Sequence, residues 1–230
     1  MNKNMNKRPS PLLLHALAVG AVALLAQNAQ SQGIVYNNTT TYNGNFDFAA
    51  GTQVGNEVVL AGSGPRYALS TFQVQFNLNG TGTPNASDAV ELLLYNNTGG
   101  VVQGANSPGA IPVYNSGFSS LTAFTAGSLL TYTLPANTVV NQDFTWVLEF
   151  QSVPAGETAG LALFGPTTVG FNYHDAWENS GSGWALDVAG AGNPALEFGA
   201  VITATAVPEP TTIVLGVMGA CAFLARRRKN

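Results

Sequence analysis

The sequence predicts an all-β fold, an antiparallel β-sandwich with a jelly-roll-like arrangement in a single domain. Three observations support this prediction. Two stretches alternate apolar and polar residues with a period of two, many short apolar runs are separated by Gly-, Asn- and Pro-rich turns, and the central region contains no persuasive helical pattern. Helices are expected only at the two ends of the chain, one in a signal peptide and one in a C-terminal transmembrane segment.

The length of the chain fits one domain with two processed ends. A chain of 230 residues is within the range of a single large all-β domain. We place the signal peptide at residues 1–31, the β-sandwich domain at 32–206 and a sorting segment at 207–230.

The N-terminus has the three-part layout of a secretory signal. Three basic residues within the first eight positions precede an apolar run at 12–26, and small and amide residues follow. We expect cleavage after Ser31, with cleavage after Ala29 as the alternative. A retained membrane anchor is the other interpretation, although the run is shorter than the roughly 20 residues of a stable span. A Sec-type translocase and signal peptidase are therefore the expected first partners.

The central region contains about nine or ten strand patterns. The two clearest, at 72–78 and 144–150, alternate apolar and polar residues as strands with one buried face do. Gly, Pro, Asn and Ser residues between the runs are typical of turns. The predicted strands cover residues 57–60, 72–78, 89–95, 111–115, 128–134, 144–150, 159–164, 184–188 and 196–205.

The region between the ends is strongly acidic. It has eleven Asp and Glu residues and a single cation, Arg66, which gives a net charge of about −10, whereas the whole chain has −4. Such a domain cannot neutralise phosphates, so binding to nucleic acid is excluded from the expected functions. The only cysteine, Cys221, lies in the C-terminal segment, so no disulfide is expected in the domain.

The C-terminus combines a proline-rich strip, an uncharged run at 211–225 and a terminal basic cluster. Proline restricts the backbone to extended conformations and removes a hydrogen-bond donor, so the strip is expected to be accessible. The basic cluster is expected to stop transfer and to stay on the cytoplasmic side of the membrane. A plain single-span anchor is the alternative. The strip consists of Val207, Pro208, Glu209 and Pro210, and the cluster of Arg226, Arg227, Arg228 and Lys229.

This tail resembles the PEP-CTERM sorting signal of Gram-negative bacteria, whose members are processed by a membrane protease called exosortase. The resemblance covers residues 208–230. It implies an inner-membrane intermediate, recognition of the Pro-Glu-Pro strip, cleavage close to it, and release or attachment at the cell surface, often alongside exopolysaccharide production. The same tail module has also been labelled an ice-binding-protein C-terminal domain, a label that concerns the tail alone.

The richest polar and aromatic segment of the domain lies at 171–184. Exposed aromatic rings stack on sugars and carboxylates accept hydrogen bonds from sugar hydroxyls, so this segment is a candidate glycan-binding site. A loop whose tryptophans fill one end of the core is the other interpretation. The candidate glycan-binding residues are Tyr173, His174, Asp175, Trp177, Glu178 and Trp184.

Calcium is the one cofactor that the composition suggests, because hard cations favour carboxylate and carbonyl oxygens. No catalytic residue is predicted, since His174 is the only histidine of the domain and no Gly-x-Ser-x-Gly motif occurs. The chain is therefore not expected to be an enzyme. The candidate calcium ligands are Asp47, Glu57, Asp175 and Glu178.

Together these features predict an exported structural protein of the cell surface or the exopolysaccharide and biofilm matrix. The alternative is a carbohydrate-binding module that uses the 171–184 segment. A secreted glycoside hydrolase and an ice-binding protein are the less favoured alternatives. An ice-binding protein needs a regular array of threonines, whereas residues 39–41 form only one short run of threonines. The expected partners are the translocase, signal peptidase, an exosortase-like protease and exopolysaccharide. Before processing, the chain is expected to be held in the inner membrane.

Overall fold

The computed structural model describes residues 32–79, 84–85, 87–123, 129–188, 195–208 and Gly219. The predicted signal peptide, Glu209, Pro210 and, apart from Gly219, the apolar and basic segments of the tail lie outside these residues. The β domain is a compact unit, Gln32–Val207. No helix within the described part of the chain combines the length and the apolar character needed to cross a membrane.

The described domain is all-β and its sheets are antiparallel, as predicted. The strands in chain order are β1 Gly33–Asn37, β2 Tyr42–Phe48, β3 Gln53–Val59, β4 Arg66–Asn79, β5 Ala89–Asn96, β6 Val101–Val102, β7 Ala105–Asn106, β8 Tyr114–Asn115, β9 Ser119–Ser120, β10 Leu129–Thr133, β11 Val139–Asn141, β12 Asp143–Ser152, β13 Thr158–Phe164, β14 Phe171–Asn172, β15 Asp175–Asn179, β16 Trp184–Val188 and β17 Ala200–Ala206. A single 3₁₀ turn, Leu121–Ala123, lies between β9 and β10.

Two large sheets build the domain. The seven-stranded sheet has the order β1-β17-β4-β13-β2, and β10 and β11 also pair with β4. The eight-stranded sheet has the order β16-β15-β3-β12-β5-β8, with β14 also paired with β3 and β9 with β5. Strands β6 and β7 form a separate hairpin.

The core lies between the two sheets and is rich in aromatic side chains. The alternation predicted at 72–78 and 144–150 is confirmed, because the apolar positions of β4 and β12 face the same core. The rings of Phe72 and Trp146 meet edge to face with centroids 5.3 Å apart, and Phe76 contacts Phe150 at 5.8 Å. Truncating one such aromatic side chain typically costs about 3–5 kcal/mol, so these contacts account for much of the cohesion between the sheets.

The eight-stranded sheet is covered on its outer face as well. Leu93, Tyr95 and Val147 form a second buried cluster there, against which the half-buried Trp184 packs. The hairpin of β6 and β7 contributes to this cover, since Nε2 of Gln103 donates to the carbonyl oxygen of Leu186 at 2.8 Å. Side chains on this face therefore lie in a partly enclosed environment.

The structure also differs from the predicted elements. Seven strands besides β15 were not predicted: β1, β2, β6, β7, β9, β11 and β14. The β2 sequence is rich in Asn and Gly, which are typical of turns, and β2 pairs with β13. The strand predicted at 111–115 is reduced to the two residues of β8. The segment interpreted as a loop around Trp177 forms a strand, β15, which pairs with β3 and β16.

Candidate functional site

A group of polar side chains lies on the outer face of the eight-stranded sheet. Side chains alternate between the two faces of a strand, so the odd-numbered residues of β3 and β12 lie opposite the core that their even-numbered neighbours fill. The register pairs Glu57 with Thr145 and Val59 with Asp143. Glu57 and Asp143 are therefore diagonal neighbours on adjacent strands, at the spacing where long side chains interact.

Glu57 and Asp143 form a carboxyl pair that is held by one amide group. Nδ2 of Asn97 donates to Oε1 of Glu57 at 2.9 Å and to Oδ1 of Asp143 at 2.8 Å. Oγ1 of Thr145 donates to Oδ1 of Asn97 at 2.7 Å, which sets the orientation of the amide. The pair thus has a defined geometry although it contains two acidic groups.

The electrostatic environment of this pair favours protonation. Burial, and then the charge and hydrogen bonding of Asp143, raise the pKa of Glu57 from its ordinary value of 4.5 to about 8. Burial also raises the pKa of the nearby Asp175 from 3.8 to about 6. A backbone hydrogen bond and the charge of His174 act in the opposite direction but do not cancel this rise. This environment therefore shifts Glu57 towards its protonated form, which lowers the negative charge of the pair.

Trp177 is part of the wall of this site and does not offer a binding surface. Its side chain is fully buried, and its Nε1 donates to Oε2 of Glu57 at 3.3 Å. Trp184 is half-buried and packs edge to face on Tyr95 with ring centroids 5.2 Å apart. The expectation that the face of Trp177 stacks on a sugar is therefore wrong, because both ring faces are covered by protein.

The exposed aromatic residues of the 171–184 segment are Phe171 and Tyr173, at 50% and 43% exposure. Their rings meet edge to face with centroids 5.1 Å apart. The hydroxyl of Tyr173 donates to Oδ2 of Asp143 in a long hydrogen bond of 3.4 Å. This aromatic pair thus stands beside the carboxyl pair and reaches solvent.

His174 contacts Glu197 and Asn172. Its Nδ1 contacts Oε1 of the buried Glu197, and its backbone N–H donates to Oδ1 of Asn172 at 2.8 Å. The residue has a φ of 65°, in the left-handed region that non-glycine residues seldom adopt. An Asn side chain that accepts from the backbone two residues on stabilises such turns, which explains this conformation.

The four candidate calcium ligands do not form one site. Asp47 lies on β2 in the seven-stranded sheet, where it accepts a hydrogen bond from Asn79 at 3.0 Å. Glu57, Asp175 and Glu178 belong to the eight-stranded sheet, and Asp175 and Glu178 lie on opposite faces of β15. Among the described residues, no three His, Cys, Asp or Glu side chains are placed to hold a metal ion together. Calcium binding itself stays a prediction.

Comparison of the chain with known proteins gives no significant match to a family model, a curated protein or a solved structure. Its site is therefore interpreted from geometry alone.

Two residues of the site, Asn97 and Asp143, were not predicted. Asp143 comes directly before the alternating run at 144–150, so the period of that run places it on the outer face. Its contact with Glu57 depends on the register between β3 and β12, which a sequence pattern does not contain. Asn97 follows β5 in a turn-like sequence and gave no signal of its own.

The folded domain ends where the predicted recognition strip begins. The backbone N–H of Val207 donates to the carbonyl oxygen of Arg66 at 2.8 Å, which continues the pairing of β17 with β4 by one residue. Pro208 follows and has no N–H to donate. The other predicted sorting residues, Glu209, Pro210 and the basic cluster at 226–229, lie outside the described residues.

Proposed function

We propose that this chain is an exported, non-enzymatic structural protein of the cell surface or extracellular matrix, and that its C-terminal tail is used for sorting and then removed. The observation that carries the proposal is the backbone hydrogen bond of Val207, which ends the pairing of β17 with β4 among the described residues and lies directly before Pro208, Glu209 and Pro210. Cleavage after Val207 would break no hydrogen bond of the described sheets. We also propose that the two sheets have a jelly-roll-like arrangement.

The distribution of charge also supports this proposal. Seven of the eight Lys and Arg residues lie in the predicted signal and tail, whereas the domain has only Arg66. Basic residues at both ends of an otherwise acidic chain are what export and a cytoplasmic stop signal require. After processing, the released domain would be acidic and soluble in a hydrated polysaccharide matrix.

Changing the recognition strip is expected to block processing without blocking export. Glu209→Ala or Pro210→Ala should make a larger, unprocessed form accumulate in the inner membrane, because the apolar run at 211–225 still stops transfer. Fractionation and immunoblotting measure the ratio of unprocessed to mature chain. Glu157→Ala, which removes a carboxylate from the turn before β13, is the control and should be processed like the wild type. Normal processing of both tail variants would contradict recognition of the Pro-Glu-Pro strip, and the absence of any processed form of the wild type would favour the plain-anchor interpretation.

Carbohydrate binding is the second candidate function, and one observation favours it. The exposed pair of Phe171 and Tyr173 lies beside the carboxyl group of Asp143, to which Tyr173 donates. Aromatic faces next to hydrogen-bond acceptors are the usual elements of sugar recognition. The glycoside hydrolase and ice-binding alternatives stay predictions.

If this aromatic pair binds glycans, Tyr173→Ala should weaken binding to purified exopolysaccharide or to a glycan array by about fivefold or more, since one stacking contact contributes about 1 kcal/mol. Tyr173→Phe keeps the ring and should retain most of the binding. Tyr42→Ala removes another exposed tyrosine, on β2 of the other sheet, and should have no effect. Equal binding by Tyr173→Ala and wild type would exclude this surface.

A further inference from the structure

A threonine hydroxyl lies against a side-chain amide on the outer face of the eight-stranded sheet. Thr145 lies on β12 and is fully buried, and its Oγ1 donates to Oδ1 of Asn97 at 2.7 Å. The nitrogen of the same amide donates to Glu57 at 2.9 Å and to Asp143 at 2.8 Å. A hydroxyl group, an amide and two carboxyl groups therefore meet in one partly enclosed place.

The hydroxyl oxygen of Thr145 lies close to the amide carbon of Asn97. An amide C=O bond is about 1.23 Å long, so an oxygen at 2.7 Å from Oδ1 is no more than about 3.9 Å from Cγ. Reacting atoms stand about 3–3.5 Å apart in a near-attack arrangement, which a small side-chain rotation reaches. Strand pairing holds both backbones, because Thr145 is opposite Tyr95, two residues before Asn97.

The carboxyl pair supplies the proton that an amide leaving group needs. Amide nitrogen leaves a carbon as ammonia only if an acid protonates it during the reaction. Both carboxyl groups are within hydrogen-bond distance of Nδ2 of Asn97. Burial and the neighbouring Asp143 raise the pKa of Glu57 to about 8, so this carboxyl group is suited to be the acid.

We propose that Thr145 and Asn97 react within the folded chain to form an internal ester bond between β12 and the end of β5. Oγ1 attacks Cγ and passes its hydrogen to Oδ1, Glu57 protonates Nδ2, and the Cγ–Nδ2 bond breaks. Ammonia leaves, and Oδ1 returns its hydrogen to the carboxylate of Glu57. The net change is the loss of one ammonia molecule, and no other reactant is needed.

The surroundings favour this bond over competing reactions of the same amide. Thr145 and Trp177 are fully buried, and a site closed to water protects an ester from hydrolysis. The backbone nitrogen of Thr98 could attack Cγ of Asn97 to give a cyclic imide. Its N–H instead donates to the carbonyl oxygen of Asn96 at 2.9 Å, which directs it away from the side chain.

The proposed bond is independent of sorting and would cross-link a domain that has no cysteine, since Cys221 lies in the tail. The reacting groups meet only through strand pairing, so the reaction follows folding. Freshly folded chain is therefore in the open form, with the amide intact, and its unfolding reports the hydrogen-bonded site. The ester would join residues 48 positions apart, a loop length at which a covalent link stabilises a fold strongly.

Mass spectrometry of the purified full chain tests the proposal. Incubation of freshly refolded chain at neutral pH should lower the intact mass by about 17 Da, the mass of ammonia. A chymotryptic digest should then contain the peptide of Asn97 joined to that of Thr145. Thr145→Ser keeps the hydroxyl group and should react, whereas Thr145→Val should not. Thr138→Val changes another buried threonine and should react like the wild type.

Glu57→Gln keeps both reacting groups and removes the acid, so it tests the chemistry even if Thr145→Val does not fold. This variant should convert about 100-fold more slowly than the wild type. The reacted wild type should unfold about 8–16 °C above the open form. An unchanged mass, a gain of about 1 Da from hydrolysis of the amide, or a loss of about 17 Da with only linear peptides would each overturn the proposal.

Discussion

Replacing Asn56 by alanine is expected to lower the free energy of unfolding by about 3–5 kcal/mol. The side chain lies in the core and links β3 to two other segments. Its Nδ2 donates to the carbonyl oxygens of Asp175 and, at 2.7 Å, Leu196. Its Oδ1 accepts from the backbone N–H of Phe198 at 2.6 Å and from Asn172 at 3.1 Å. The variant leaves these groups buried without partners, at about 1–3 kcal/mol each before relaxation.

Thermal and urea unfolding of the purified chain measure this effect. For a domain of this size the loss corresponds to a fall in Tm of about 10 °C or more. Asn45→Ala is the matched control, because Asn45 lies on β2 and its hydrogen bonds, such as that from Tyr42 at 2.8 Å, are exposed. The control should change stability by less than about 0.5 kcal/mol. Similar small changes in both variants would show that Asn56 does not hold the segments together.

Glu57→Gln is expected to stabilise the protein at alkaline pH and to flatten its pH dependence. The folded pKa of about 8 lies above the ordinary value of 4.5, so between these values the folded state holds a proton that the unfolded state releases. Stability therefore falls as the pH rises from about 4.5 to 8. Asp175, whose pKa is raised from 3.8 to about 6, acts in the same direction at lower pH. Glutamine cannot ionise but keeps an acceptor for Asn97.

Urea midpoints at pH 5, 6.5 and 8 measure this pH dependence. Ionisation of Glu57 should lower the free energy of unfolding of the wild type by about 1–3 kcal/mol between pH 5 and pH 8. This loss is smaller than the pKa difference alone would give, because solvent near the site screens the charge. Glu57→Gln should remove most of that loss, while Glu157→Gln should follow the wild type. If the free energy of unfolding changes with pH equally in Glu57→Gln and the wild type, Glu57 does not hold the proton in the folded state.

The all-β class followed from the sequence because the strongest patterns lie in the central strands. At 72–78 of β4 and 144–150 of β12 every second residue is apolar, and these residues fill the space between the sheets. A period of two needs no knowledge of the partner strand, so it can be detected in one segment. The edge strand β2 also alternates, with Phe46 and Phe48 on one face and Asn45 and Asp47 on the other, but its Asn and Gly residues are typical of turns and mask the pattern.

The candidate site could be predicted only in part. The concentration of aromatic and acidic residues drew attention to the segment 171–184, where Tyr173 is exposed; glycan binding there stays a prediction. The burial of Trp177 agrees with the interpretation that the tryptophans of this segment are covered by protein. The strand that buries it was not predicted, because β15 forms through its pairing with β3 and β16. The same holds for Glu57 and Asp143, which become neighbours only through strand register.

The mass of the mature chain tests the central proposal most directly. Intact-mass and terminal-peptide mass spectrometry of protein extracted from the cell surface should give an N-terminus at Gln32 and a C-terminus close to Val207–Pro210. Such a product would contain the whole described β domain and none of the basic residues at 226–229. A surface form that retains Arg226, Arg227, Arg228 and Lys229 would contradict sorting by tail cleavage.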